Sequence, residues 1–419
     1  MRITIGHIDK IEGHLGFEAE LFDGNIKAAF LDVLEGARMI EGIVRGRYYE
    51  DIPIITSRIC GVCPVVHNLA SIKALEAALG VKADKIIILF RKLMLLGELI
   101  QSHMLHVFLL SAPDFLGNTN DLDVIKKFPR EAEAAFFVRD FGTKIMKAVG
   151  GRAVHPIASE VGGFKILPER RELEEILVEV DKVMNAALAV HKLIMKIKFP
   201  ELNIDLRPVS LANAGEYEYY EGDVISGQGL RLSLQKFYSS IEELQRPKSP
   251  VKETEIYNRH YLVGALARVL NQGDFLNDAA KKALEKLPVE KIKTNPFYNL
   301  PAQSVEILHF IEEIKKIIKQ LLALNIPRES RQKVELRAGE GVGAVEAPRG
   351  TLLHYYKLDK NGRVTDSNII TPTAQFLNDL EHSLAIYLPQ IKNLPETERA
   401  QKIKSLVRAY DPCISCATH

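Results

Sequence analysis

Arg58-Ile59-Cys60-Gly61-Val62-Cys63-Pro64-Val65-Val66-His67 stands near one end of the chain, and Asp411-Pro412-Cys413-Ile414-Ser415-Cys416-Ala417-Thr418-His419 stands at the other. Together they hold all 4 cysteines of the 419 residues, as two C-x-x-C pairs. Four cysteines are too few to form a disulfide scaffold in a chain of this length. A structural zinc module would use the same four thiolates, but such modules place their pairs about 15–20 residues apart and fold locally around the ion. A thioredoxin-like redox pair needs a neighbouring βαβ unit, and neither pair has one. The third explanation is a soft transition-metal site built across the fold, with each terminus supplying two thiolates. Metal binding is the expected role, and spacing alone leaves a catalytic and a structural metal equally open.

Around these motifs the composition is that of an ordinary globular protein. Hydrophobic residues make up 47% and charged residues 26%, which excludes intrinsic disorder. Lys and Arg number 55 against 54 Asp and Glu, a net charge of +1, so the basic excess expected of a nucleic-acid binder is missing. The longest apolar run, Leu99 to Pro113, is broken by Gln101, His103 and His106, short of the roughly 18 residues a membrane span needs. Met1-Arg2-Ile3-Thr4-Ile5 has no apolar signal-peptide core. The expectation is a soluble, cytoplasmic protein.

Periodicity predicts a mainly α fold with small antiparallel β additions: one helix-rich domain over residues 1–419 around a central helix bundle. Residues 1–40 or so read as a small sheet, with Phe17, Ala19 and Leu21 alternating with Glu18 and Glu20 and a hairpin turn at Asp23-Gly24. Asp51 to Ile59 reads as extended, because Pro53 argues against helix. Val65 to Leu79 reads as a helix closed by Gly80, and Asp84 to Leu110 as a central, nearly wholly apolar helix closed by Pro113. Glu169 to Lys198 and Gln303 to Leu324 have the 3.6-residue rhythm of amphipathic helices. Residues 200–300 are richer in Tyr, Gly and Pro and show weaker periodicity, while Leu352–Leu358 and Val364–Ile370 flank a second hairpin signal at Lys360-Asn361-Gly362.

The flanks of the cysteines narrow the chemistry. R-x-C-G-x-C-x-x-x-H and D-P-C-x-x-C-x-x-H closely resemble the two metal-binding motifs of nickel–iron hydrogenase large subunits. Glu12-Gly13-His14, Ser102-His103-x-x-His106 with Pro113-Asp114, Gly151-Arg152-x-x-His155-Pro156 and Glu346-Ala347-Pro348-Arg349-Gly350 resemble further blocks of that family, in its order. The likeness spans essentially the whole chain. The Cys-Ala-Thr-His ending and the moderate length look most like the cytoplasmic, multimeric branch that includes sulfhydrogenases and NAD(P)-linked enzymes.

The resemblance implies a role for each matched residue. Cys60 and Cys413 would be terminal nickel ligands, and Cys63 and Cys416 would bridge nickel to an iron carrying carbon monoxide and cyanide. Asp411, Arg349, Pro348, Thr373 and Asp114 would surround the iron's diatomic ligands, and His67 would face back toward the Cys63 sulfur. Glu41, the carbonyl of Ile369 and His419 would hold a second cation, Mg2+ or Fe2+. Glu12 would approach a terminal thiolate and carry protons away. Family precursors are trimmed just after the matching histidine, so a mature end buried against the metal is expected at His419. Four cysteines cannot also ligate iron–sulfur clusters. The resemblance therefore implies flavin-bearing electron-transfer subunits and an iron–sulfur small subunit, with H2 as substrate.

Two other motifs carry less. Gly339-x-Gly341-x-Gly343 is half a dinucleotide fingerprint, but Pro348 follows too soon for the required helix, so it is expected to be a loop positioning Arg349. His103 and His106, three apart on a buried helix, are expected to be held by hydrogen bonds rather than by metal. Competing functions are a hydrogenase coupled to F420, a heterodisulfide reductase or ferredoxin, and a four-thiolate zinc scaffold. The related quinone-oxidoreductase component of respiratory complexes lacks the metal-binding cysteines that this chain retains.

Overall fold

A computed structural model describes residues 2–22, 25–117, 122–227, 229–247, 249–326 and 331–419. The Asp23-Gly24 turn lies outside the described residues. Helix takes 52% of the chain, so the mainly α class holds.

Helix α1 (Pro64–Leu79) follows the first cysteine pair and ends at Gly80 in the left-handed region (φ 69°), a conformation that costs glycine nothing. Helix α2 (Lys85–Met104) is the predicted central helix. It packs in a closed ring with α3 (Pro129–Gly150), α4 (Arg170–Ile194) and α5 (Asn299–Ala323), each touching the next. Helices α2 and α3 cross almost backbone to backbone: a Cβ added at Gly97 would lie 2.8 Å from the Gly142 carbonyl oxygen. The stretch Lys85–Asp114 is long and apolar enough to cross a membrane, contrary to the sequence expectation, but 78% of its most apolar window is buried inside the fold. Its apolar character serves the core.

The sheets flank the bundle. Strands β1 (Arg2–Ile8), β2 (Leu15–Phe22) and β3 (Asn25–Val33) form the predicted antiparallel sheet, and alternate residues Phe17, Ala19 and Leu21 face the core. Strands β4 (Gly339–Ala347), β5 (Gly350–Leu358) and β6 (Val364–Ile370) form another, with the Lys360-Asn361-Gly362 turn between the last two. Residues 200–300 fold as short strands and helices. Two longer helices, α6 (Pro372–Ile391) and α7 (Glu396–Ala409), precede a final helical turn, Ile414–Ala417. One buried apolar cluster runs from Ile3 to Ala417.

Two further sequence expectations fail, each for a local reason. Asp51 to Ile59 is helical: Tyr49–Asp51 and Ser57–Ile59 are 3-10 turns and Ile52–Thr56 is α-helix. Pro53 falls in the first turn, where its missing N–H has no partner to lose. Gly339-x-Gly341-x-Gly343 is strand β4, not a loop. Its alternate glycines face α1, where a Cβ at Gly341 would lie 2.5 Å from the Ala74 carbonyl, and one at Gly343 would strike Ala70 and Ala74. The spacing of two is a strand's period, used here to seat a helix directly on backbone.

Gly343→Val should therefore push β4 off α1 and cost about 3 kcal/mol or more, measured by denaturant unfolding. Gly6→Ala, with nothing within 4 Å of the added carbon, should stay within about 0.5 kcal/mol of the parent.

Candidate metal centre

The two cysteine pairs are presented by helix starts. Cys60 is extended after the 3-10 turn, and Cys63 immediately precedes α1, whose first residue is Pro64. Cys413 likewise precedes the single turn Ile414–Ala417, which carries Cys416.

Three contacts bring the ends of the chain together. Glu12 pairs with Cys413 in a parallel bridge, and Ile414 N–H donates to the Glu12 carbonyl (2.9 Å). Gly13, at φ +87°, allows that approach, because a Cβ there would lie 2.7 Å from Ile414 Cβ. Arg38 Nη2 donates to the Ile59 carbonyl (2.7 Å) and also to that of Ser415, so one guanidinium clips both motifs.

The four sulfurs converge. Every pair lies within 4.8 Å, with Cys60–Cys413 at 3.6 Å, Cys63–Cys416 at 3.2 Å and Cys413–Cys416 at 2.8 Å, and all four are buried without disulfides. Burial pushes the Cys413 thiol well above its ordinary range and that of Cys416 to about 11. Cys60 is pulled the other way, because Cys413, Cys416 and Cys63 hydrogen-bond to its thiolate. Four thiolates so close and so dry repel one another, and a cation that bonds to all of them removes the repulsion. The donor set fits a soft metal centre.

The predicted neighbours divide into those at the sulfurs and those apart. Glu12 Oε2 accepts from Cys413 Sγ (3.0 Å) and from Ser415 N–H (3.0 Å), while Oε1 accepts from Ser415 Oγ (2.5 Å). Thr373 Oγ1 accepts from Cys413 N–H (3.0 Å). Pro348 and Arg349 form the two-residue turn between β4 and β5. Arg349 Nη2 donates to Asp411 Oδ1 (2.9 Å) and Nε to the Asp411 carbonyl (2.8 Å). Burial opposes the Arg349 charge, but Asp411 and the cysteine sulfurs outweigh it and raise its pKa.

Asp114 is engaged by two cations rather than by the sulfurs. Its Oδ1 accepts from Lys10 Nζ (2.7 Å) and Arg408 Nη1 (2.7 Å). His67 turns its Nδ1 to His354 Nε2 (3.2 Å), and burial lowers its pKa to about 3, so it is neutral. His103 and His106 are held by Glu306, and by Gln303 with the Arg408 carbonyl, as expected of buried histidines.

A second constellation lies where β6 meets the C-terminus. Glu41 Oε1 accepts from the Ile369 N–H (2.8 Å) and lies 3.6 Å from His419 Nε2, and Lys252 Nζ is 3.4 Å from both carboxylate oxygens. Burial works against the Glu41 charge, but His419, the Ile369 amide and Lys252 hold its pKa at about 2. An ionised carboxylate beside a terminal imidazole is a donor set for a hard or borderline cation.

Sequence reasoning missed Arg38, Glu98 and Arg268. Glu98 is a fully buried acid in α2 whose oxygens accept from the Val65 and Val66 amides (2.7 and 3.1 Å), capping α1 directly behind Cys63. Arg268 pairs with Glu306 and Glu346 and donates to the Ala347 carbonyl, bracing the turn that carries Arg349. A lone acid inside an apolar helix was the one signal available, and it belonged to Glu98. Glu98→Leu should strand two buried amides, cost about 3 kcal/mol of stability by denaturant unfolding, and lower metal retention; Glu98→Gln should lose about a third as much.

Known proteins resemble this chain in sequence and in fold. The family model "Nickel-dependent hydrogenase" matches residues 38–135 and 235–419. The alpha chain of sulfhydrogenase 1 from Pyrococcus furiosus is 34% identical over 100% of this chain and 97% of its own length. An F420-non-reducing hydrogenase chain from Methanothermobacter thermautotrophicus is 31% identical over 100% of this chain and 95% of its own. An NAD+-reducing nickel–iron hydrogenase, solved in the H2-reduced state, superposes with a TM-score of 0.91 at 28% identity, covering 100% of this chain and 99% of that one.

Proposed function

The chain belongs to the nickel-dependent hydrogenase family as a large subunit, and on that premise we propose that it splits H2 into protons and electrons at a nickel–iron pair held by its four cysteines. The observation that carries this reading is the closure of Cys60, Cys63, Cys413 and Cys416 to within 4.8 Å. Cys60, Cys63, Cys413 and Cys416 would hold the nickel, Cys63 and Cys416 would also hold the iron with its carbon monoxide and cyanide, and the centre would supply a Lewis acid and an electron acceptor.

The protein's own groups do the rest. Glu12 takes the proton: its Oε2 lies 3.0 Å from Cys413 Sγ, and Ser415 holds the other oxygen. Arg349 would supply N–H donors to the diatomic ligands, and Thr373 steadies the Cys413 backbone. Asp114 acts at one remove, anchoring Arg408 in the helix that leads to Asp411. Buried apolar residues on both motifs, Ile59, Val65, Val66 and Ile414, exclude water. Glu41, His419 and the carbonyl of Ile369 would hold a second cation, Mg2+ or Fe2+.

Electrons leave through an iron–sulfur small subunit, then through flavin-bearing partners to NAD(P), in the cytoplasm. The full-length likeness to an NAD+-reducing enzyme and the relationship to a sulfhydrogenase alpha chain support this branch. The relatives named as F420-non-reducing hydrogenases favour the second reading, a different soluble acceptor such as ferredoxin.

Metal analysis should return nickel and iron in equal amounts, with carbonyl and cyanide bands in the infrared; zinc alone would leave only a scaffold. Cys416→Ser should lose both nickel and activity, and full nickel with undiminished H2 uptake would refute the bridging role. Glu12→Gln should keep nickel, iron and the infrared bands but lose H/D exchange with water by about a hundredfold or more. In the purified complex H2 should reduce NAD(P)+; reduction of ferredoxin alone would select the second branch.

A further inference from the structure

A cavity of about 480 Å³ opens where residues 207–209 meet the segment 256–261, and among the described residues no acid lines it. Arg207, Arg259 and His260 supply polar groups, while Ile256, Tyr257 and Tyr261 supply apolar and aromatic wall. The two segments are bound side by side. Leu262 N–H donates to the Arg207 carbonyl (2.9 Å), and Val209 N–H donates to the Leu262 carbonyl (2.8 Å). Ile256 and Arg259 exchange both backbone hydrogen bonds (3.1 Å each) around a tight turn, with Tyr257 at φ 52° and Asn258 at φ 57°. Two such left-handed residues make a type I′ turn, which Gly, Asn and Asp dominate, so tyrosine at its first central position is unusual. The turn leaves Tyr257 58% exposed beside Arg259.

The two guanidinium groups are incompletely matched by the protein. Arg207 Nη2 donates to Asp205 Oδ2 (3.0 Å), but Arg207 Nε is buried and has no partner among the described residues. The Arg259 side chain has no hydrogen bond or ion pair among them. His260 is braced from one side: its Nδ1 lies 2.7 Å from Asp379 Oδ1, and Asp379 Oδ2 accepts from Tyr410 O–H (2.7 Å). Asp205 and Asp379 are therefore already engaged. A buried N–H without an acceptor is costly, so the remaining donors call for an anion from outside the chain. Arginine suits phosphoryl oxygens in particular, because its planar fork can donate to two of them at once. A bare phosphate would fill little of a cavity whose 480 Å³ lies in the range of small-molecule sites. The apolar wall and the exposed Tyr257 ring suit an aromatic body attached to that anion.

We propose that this cavity binds a phosphate monoester carrying an aromatic ring, of the nucleoside monophosphate class, with Arg207 and Arg259 on the phosphoryl group and Tyr257 against the ring. None of the lining residues belongs to the cysteine motifs or is Glu12, Thr373 or Arg349. The inference therefore stands apart from the hydrogenase reading and does not depend on it.

Amide hydrogen exchange read by mass spectrometry on the purified native complex tests this, because peptides of this chain are resolved from those of its partners. Adenosine monophosphate should slow exchange several-fold in peptides covering 205–209 and 256–262, and adenosine should leave them unchanged. Inorganic phosphate should protect the same peptides only at roughly tenfold higher concentration. Arg207→Gln and Arg259→Gln should each raise the concentration of adenosine monophosphate required by about ten- to a hundredfold, the loss of a hydrogen bond to a charged group. Both variants should keep the parent's exchange pattern in the rest of the chain, which verifies their folding. Tyr257→Ala should weaken adenosine monophosphate by roughly two- to tenfold and leave phosphate unaffected. No protection of the parent at about 5 mM adenosine monophosphate would overturn the proposal. Equal protection by adenosine, or an undiminished response in both arginine variants, would overturn it too. Phosphate acting at the same concentration as the nucleotide would refute the ring-bearing ligand.

Discussion

Four sulfurs that repel one another when ionised are held within 4.8 Å in a dry pocket, and the rest of the structure is arranged around that contact. No local segment could enforce it, because the pairs lie at opposite ends of the chain. Enforcement falls to long-range polar clips: Arg38 on the carbonyls of both motifs, Glu12 on the Cys413–Ser415 turn, and Glu98 behind Cys63. Each clip is an ionised or polar side chain committed to backbone groups that would otherwise be stranded in the core. Unpaired, those groups would cost about 1–3 kcal/mol apiece.

The same need explains why so many charges are buried here. Arg268 lies between Glu306 and Glu346, Arg91 pairs with Glu76, and Arg408 spans Asp9 and Asp114. A buried pair gains little over well-packed apolar residues, but removing one partner is severe. Such pairs therefore fix geometry more than they add stability. Arg268 holds the turn of Arg349, and Arg408 leads into Asp411, so two of the three networks end on residues beside the thiolates. The polar lining of the centre and the polar seams of the core are continuous.

Backbone contact supplies the complementary rigidity. Helix α1, which carries Cys63 at its start, rests on three glycines of β4, and β4 ends in the Pro348-Arg349 turn. Helix and turn therefore keep a fixed separation without any side chain between them. A strand read as a loop from its glycines joins the helix behind Cys63 to the turn that carries Arg349. Glycine every second residue looks like flexibility in a sequence, but in a sheet it marks a face that another backbone occupies.

The cysteine pairs and the apolar rhythm of the long helices were enough, by themselves, to determine the cluster of four thiols, the mainly α class and the central helix. Those features are local: periodicity and motif spacing survive in one dimension because each depends on near neighbours. Glu12 and Thr373 were legible only through their likeness to a family, since nothing near them in sequence is a ligand. The tertiary structure alone decided that Asp51 to Ile59 is helical, that Asp114 joins Lys10 and Arg408 rather than a sulfur, and that Arg38, Glu98 and Arg268 brace the residues around the sulfurs. A buried charge or amide is defined by the partner it finds, and those partners are hundreds of residues away in several cases, such as Ser415 for Arg38. Composition records that the groups exist; only the closed fold gives each one its partner, because burial makes pairing compulsory.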